Sequence, residues 1–283
     1  MPTPRLLISA AAAATAVAAL VVSPATAQAA DPLDYVALGD SAAAGPLIPN
    51  QNPNLPCLRS TNNWANVTAR ALGARLTDVS CSGATTGDMA GRQFGYNAPQ
   101  YDALKPDTDL VTITIGANDL SLGTFVPGCW RTPPPFGISC KSVAYAAAGG
   151  KDPFIAKIAT MRSSVATVLD TIETKSPDAE VIVVGYGKYY RKGGCYWTDP
   201  VWPEDADYIQ SVFTRLNETL RDLAAERGLD YVDSEALFAG HDICAPASQR
   251  WMEGLVPTTI AAPYHANRAG HDGTAAALLG LVG

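Results

Sequence analysis

Short runs of apolar and β-branched residues, alternating with helix-length patterns, constrain the fold of this chain more than any other feature. Tyr35-Val36-Ala37-Leu38, Arg75 to Val79, Leu110-Val111-Thr112-Ile113-Thr114-Ile115, Glu180 to Val184 and Leu229-Asp230-Tyr231-Val232 read as strands. Helices are expected over Asn62 to Leu72, stopped by Gly73, and over roughly Pro153 to Thr174, stopped by Ser176-Pro177. Two more are expected from about Pro203 to Arg227, before Gly228, and from near Asn267 onward. Strands alternating with helices indicate an α/β domain built on a parallel sheet. Two stretches resist the pattern. Leu120 to Gly150 is rich in proline and glycine, and Lys188 to Trp202 carries Gly193-Gly194 and five aromatics. Both read as long loops, which often carry function.

The first 30 residues have the pattern of a secretory signal peptide. Arg5 precedes an apolar stretch from about Leu6 to Val22, and Pro24 and small residues follow, with Ala-x-Ala sites near Ala27 or Ala29. The stretch borders on membrane-spanning length, but the cleavage signature makes export and removal the expected outcome, with cleavage within 27–30. Residues 31–283 then form one catalytic domain, secreted and without a stable membrane anchor. Arg5 is the only charged residue removed, so 19 Lys plus Arg remain against 27 Asp plus Glu. An acidic chain without a basic cluster is not built to bind nucleic acid or anionic membranes.

All six cysteines lie beyond residue 30. An even count in an exported chain predicts three disulfides. Of the 15 possible pairings, the nearest-neighbour set, Cys57-Cys81, Cys129-Cys140 and Cys195-Cys244, closes the smallest loops and is expected. No Cys-x-x-Cys or His-x-x-x-His spacing indicates zinc. No metal is expected.

Ligands of open parallel sheets bind beyond the carboxyl ends of the strands. The first strand ends in Gly39-Asp40-Ser41 followed by small residues, a sequence that permits a sharp turn with an exposed serine hydroxyl. Position 43 is alanine, so the run is not Gly-x-Ser-x-Gly. Gly83 follows the second strand, and Asn118 follows the third in Gly116-Ala117-Asn118-Asp119. A backbone N–H and an asparagine amide are the donors an oxyanion hole requires. Singly, each of these residues serves equally well as a turn or a helix cap. Among His241, His265 and His271, His265 lies just before the last helix and is the leading candidate base. His241 sits beside a cysteine, and His271 falls inside the helix.

Gly39-Asp40-Ser41, Gly83 with its Ala-Thr-Thr tail, Gly116-Ala117-Asn118-Asp119 and His265 occur in the order of the four blocks of the SGNH, or GDSL, hydrolases. From Tyr35 to the last helix the chain resembles the secreted, disulfide-bridged actinobacterial branch of lipases, phospholipases A and esterases. The resemblance implies a flavodoxin-like three-layer α/β/α fold with a central parallel sheet. It also implies Ser41 as nucleophile, an oxyanion hole of Ser41 N–H, Gly83 N–H and the Asn118 side chain, and His265 as general base. The family's usual aspartate three residues before the histidine is replaced by Ala262, and its usual proline after the histidine by Ala266. The resemblance then implies a Ser-His dyad whose imidazole is oriented by a backbone carbonyl of the Ala262-Pro263 segment, assigned here to Ala262.

The activity so implied is hydrolysis of lipid or other acyl esters by a monomer through an acyl-enzyme, with no cofactor. A carbohydrate O-acetyl esterase and a catalytically silent binding protein are the alternatives. Tyr189, Tyr190, Tyr196, Trp197 and Trp202 in one long loop, with Phe125, Trp130 and Phe136 in the other, suit an acyl groove, a sugar-stacking face or simple loop packing.

Overall fold

Five strands, β1 (Asp34–Gly39), β2 (Arg75–Asp78), β3 (Leu110–Thr114), β4 (Glu180–Val184) and β5 (Asp230–Val232), carry the architecture in a computed structural model describing residues 1–2, 31–131 and 136–282. They form one parallel sheet in the order β2-β1-β3-β4-β5. The signal-like stretch falls almost wholly outside the described residues. Pro32–Gly283 makes one compact unit.

Side chains alternate faces along each strand, and the alternation sorts the core into two layers. Val36, Leu38, Val111, Ile113, Val181 and Val183 pack in one cluster with α5 (Pro153–Lys175) and α6 (Pro203–Arg227). Tyr35, Ala37, Leu110, Ile182, Val184 and Val232 pack on the other face with α2 (Trp64–Leu72) and α8 (Arg268–Leu279). Strands buried on both faces need nearly continuous apolar sequence, and β3, buried at every position, departs from it only at Thr112 and Thr114. The result is the three-layer flavodoxin-like order, which puts a crevice where β1 and β3 lead their connections to opposite faces.

Local chemistry sets the helix limits. Asn63 accepts from the Asn66 N–H at the start of α2, and Gly73 ends it at φ 66°. Asp152 caps α5 ahead of Pro153, Gly228 closes α6 at φ 67°, and Asn267 caps α8. Among the described residues, four short α-helices accompany these: α1 (Ser41–Ala44), α3 (Leu122–Phe125), α4 (Cys140–Ala147) and α7 (Ser234–Leu237). Both α3 and α4 fall in the 120–150 stretch expected to be loop. The start of α4 is fixed from a distance: the Asp205 carboxylate on α6 accepts from the Cys140 and Lys141 N–H groups at 3.0 and 2.9 Å. The three expected disulfides, Cys57–Cys81, Cys129–Cys140 and Cys195–Cys244, are all present.

Candidate active site

The turn after β1 can be made only with glycine. Gly39 has φ 137°, and a Cβ there would lie 2.5 Å from the Thr114 carbonyl oxygen on neighbouring β3. Asp40 then caps α1, accepting from the Ala42 N–H at 2.8 Å. Ser41 is therefore the first residue of a one-turn helix, at the carboxyl edge of the sheet. Its Oγ lies 2.8 Å from His265 Nε2.

His265 reaches this position from the turn ahead of α8. Its backbone is fixed by the His265 carbonyl accepting from Glu253 N–H at 3.0 Å. Tyr264, immediately before it, takes the left-handed conformation at φ 58°. The carbonyl that meets Nδ1 is that of Pro263, at 2.8 Å, and not that of Ala262 as expected from the sequence. The Ala262 carbonyl is occupied by the His265 backbone N–H at 3.2 Å, so the tight turn delivers the next carbonyl to the ring. A carbonyl can only accept, so Nδ1 carries the proton and Nε2 is the free acceptor facing Ser41. Burial holds the His265 pKa below the ordinary 6.5, against an opposing pull from the Pro263 hydrogen bond.

Among the described residues, no carboxylate takes the missing position on the ring. Asp242 pairs with Arg191 at 3.0 Å, and Asp272 pairs with Arg268 at 2.7 Å on α8. Glu253, which the sequence reading overlooked, is fully buried under the loop but serves Asn267 Nδ2 at 2.8 Å and the Thr258 N–H at 2.8 Å. Burial pushes its carboxyl up, while these bonds outweigh burial and hold it below the usual value. The other histidines are structural. His241 stacks on Trp251 with ring centres 4.1 Å apart, and His271 Nδ1 accepts from the Trp64 N–H at 3.1 Å.

The Gly83 loop and the Asn118 turn are bound to one another. Asn118 Nδ2 donates to the Ala84 carbonyl at 2.9 Å, leaving its second N–H available. The next residue, Asp119, accepts from Thr86 N–H at 3.1 Å and from Thr86 Oγ1. Gly83 takes φ 83° and is exposed. Among the described residues, neither the Ser41 nor the Gly83 N–H has a protein acceptor.

Ser41, Asn118 and His265 line a cavity of about 70 Å³ with Leu122, Val126, Pro127, Tyr186, Tyr189, Phe213 and Tyr264. Of the loop aromatics singled out in the sequence, Tyr189 is the one in this wall. It stacks on Phe213, with ring centres 3.9 Å apart. Tyr190 is buried on Asp199, Phe125 packs on Phe154 and Tyr208, and Trp197 is 89% exposed. Tyr186, Phe213 and Tyr264 were missed. Tyr186 was detectable in principle, since Gly185-Tyr186-Gly187 directly follows β4. A larger cavity of about 350 Å³ beside the Cys57–Cys81 bridge contains neither Ser41 nor His265.

A parallel sheet in this order, with a serine after β1 in contact with a histidine ahead of the last helix, defines an α/β hydrolytic enzyme of SGNH type. The chain belongs to the GDSL-like lipase/acylhydrolase family, whose model matches residues 37–272. It is 36% identical to Lipase 2 of Streptomyces coelicolor over 304 aligned positions, covering 100% of this chain and 99% of the relative. Crystal structures of phospholipase A1 from Streptomyces albidoflavus and of the extracellular lipase from Streptomyces rimosus superpose with TM-scores of 0.73 each. Their identities are 26% and 29%; they match 89% and 88% of this chain, and 100% and 99% of their own lengths. The chain is an ester hydrolase.

Proposed function

We propose that the protein is an exported carboxylic ester hydrolase acting on lipid acyl esters through a Ser41–His265 dyad. The observation that carries the reading is the continuous hydrogen-bonded line from Ser41 Oγ through the His265 ring to the Pro263 carbonyl, 2.8 Å at each end. His265 Nε2 takes the hydroxyl proton as Ser41 attacks the ester carbonyl. The oxyanion is received by the N–H groups of Ser41 and Gly83 and the free N–H of Asn118. His265 then protonates the leaving alcohol, and a water activated in the same way releases the acid. The Pro263 carbonyl fixes the tautomer and the ring plane, the orienting role that a carboxylate fills in a triad. Residues 1–30 direct export and are removed, leaving 31–283 as the working enzyme.

Lipid esters are favoured over sugar esters because the cavity wall beside Ser41 includes Leu122, Val126, Pro127 and Phe213 together with the rings of Tyr186, Tyr189 and Tyr264. The relatives named lipase and phospholipase A1 point the same way. The test is hydrolysis of p-nitrophenyl esters from acetyl to palmitoyl, alongside a phospholipid and acetylated xylan. Acyl and lipid esters are expected to turn over, with Ser41→Ala inactive but folded and a phosphonate labelling Ser41 alone. Activity confined to acetylated xylan would replace the lipid assignment. Label on another serine would overturn the dyad.

A further inference from the structure

We infer that Tyr186 is a positioning residue whose hydroxyl locks the turn carrying Ser41 to the turn carrying Asn118; this rests on the dyad and oxyanion reading above. Tyr186 lies two residues beyond β4 and is 3% exposed. Its hydroxyl accepts the Ala117 N–H at 3.1 Å and donates to Asp40 Oδ2 at 2.5 Å. The other Asp40 oxygen accepts from the Ala42 N–H at 2.8 Å. The residues on both sides of Ser41 are thereby joined through one phenol to the residue just before Asn118.

The phenol is itself held in place. Asn217 on α6 binds the Tyr186 backbone on both sides, accepting from its N–H at 2.8 Å and donating to its carbonyl at 2.9 Å. The ring leans on Phe213. Burial, with Asp40 beside it, keeps the hydroxyl protonated well above ordinary tyrosine values, so it can donate to the ionised Asp40 carboxylate. Ser41 and Asn118 follow different strands, β1 and β3, and no direct bond joins them among the described residues. Their spacing determines whether the tetrahedral oxygen meets its donor, and a displacement of about 1 Å in such a site lowers rates on the order of 100-fold.

Tyr186→Phe removes the hydroxyl and leaves the ring. The expected result is a kcat lower by roughly 10- to 100-fold with KM within about threefold, because the lost alignment matters in the transition state. Inhibition by a boronic acid that forms a tetrahedral adduct should weaken in parallel. Tyr35→Phe is the comparison: its hydroxyl is equally buried in the same sheet, 2.7 Å from Thr112 Oγ1, but away from Ser41. That variant should lose thermal stability and keep kcat. If Tyr186→Phe does not fold, Asp40→Ala removes the acceptor of the phenol, and with it the link to the Ala42 N–H, and should give the same selective loss of kcat. A Tyr186→Phe kcat within about twofold of wild type, or a loss that Tyr35→Phe matches, overturns the inference. Wild-type activity in Ser41→Ala would instead overturn the dyad on which it rests.

Discussion

At the scale of single residues, the unusual feature is a neutral carbonyl where most of the family places a carboxylate. The Pro263 oxygen orients His265 but brings no full negative charge to stabilise imidazolium, and burial disfavours the charged ring further. In the dyad proposed above, His265 must be neutral to accept the Ser41 proton, so a lowered pKa extends activity toward acid. The acid limb of kcat/KM on a short-chain ester should therefore have its midpoint below 6.5, the ordinary histidine value. A midpoint above that value would mean an unseen anion on the ring. His265→Ala should cost orders of magnitude in kcat/KM, whereas Asp242→Ala and Asp272→Ala should slow the enzyme only modestly, since both pair with arginines elsewhere. If either aspartate variant loses as much as His265→Ala while remaining folded, the dyad is wrong. Ala262→Asp should gain little: position 262 is buried, and Nδ1 already has its acceptor one residue later.

At the scale of elements, the disulfides and the loops they brace decide how well the site is held. In the loop-entropy account, a bridge stabilises more as its loop lengthens. The bridges span 49, 24 and 11 residues for Cys195–Cys244, Cys57–Cys81 and Cys129–Cys140. Replacing each pair with serine should cost about 4, about 3.5 and about 3 kcal/mol respectively, read from denaturant unfolding. The Cys195–Cys244 loop should matter for catalysis as well. Within it, Asp199 accepts from Tyr190 Oη at 2.5 Å and from Leu255 N–H at 2.7 Å, which ties the loop to the segment leading to His265. Loss of stability in the reverse order would count against the entropic account. What was readable in the sequence follows the same division. The strands and long helices were readable because their signals are local: the β-branched run of β3, Gly73 and Gly228 past helix ends, Asn267 as a cap. The meeting of Ser41 and His265 was readable because strand ends and motif order point to both residues. The helix α4 was not: its cap, Ser139, is local, but it lies in a proline- and glycine-rich stretch, and the acceptor of its first two N–H groups, Asp205, is 65 residues away. Nor was Pro263: which of two adjacent carbonyls meets the ring depends on how one tight turn closes.

At the scale of the whole molecule, the packing of α8 against α2 gives folding a dependence on acid that can be isolated at one residue. His271 is 1% exposed, and its Nδ1 accepts from the Trp64 N–H at 3.1 Å. An imidazole nitrogen that accepts from a backbone N–H must be unprotonated, so the ring is neutral in the folded protein. Burial, then the neighbouring His265 and Arg268, push its pKa down to about 3 from 6.5. The sign follows from proton counting. Between these two values the unfolded chain binds the proton and the folded chain does not, so stability is full above 6.5 and falls as the pH drops toward 3. The slope attributable to this ring is up to about 1.4 kcal/mol per pH unit. Asp40 acts in the opposite direction. Burial raises it to about 7, against the Tyr186 and Ala42 hydrogen bonds, so the folded state takes up that proton first as the pH falls. The bare pH profile of wild type therefore mixes two opposed slopes, and the informative quantity is a difference. His271→Asn keeps an acceptor at the δ position for the Trp64 N–H but cannot be protonated. Urea unfolding of wild type and variant at pH 7, 6, 5 and 4 should show the wild type losing stability relative to the variant with each step below 6.5, while the Asp40 contribution, common to both, cancels. Parallel profiles for the two proteins across that range would mean that His271 carries no buried proton deficit and that the α2–α8 layer is not the acid-sensitive part of the fold.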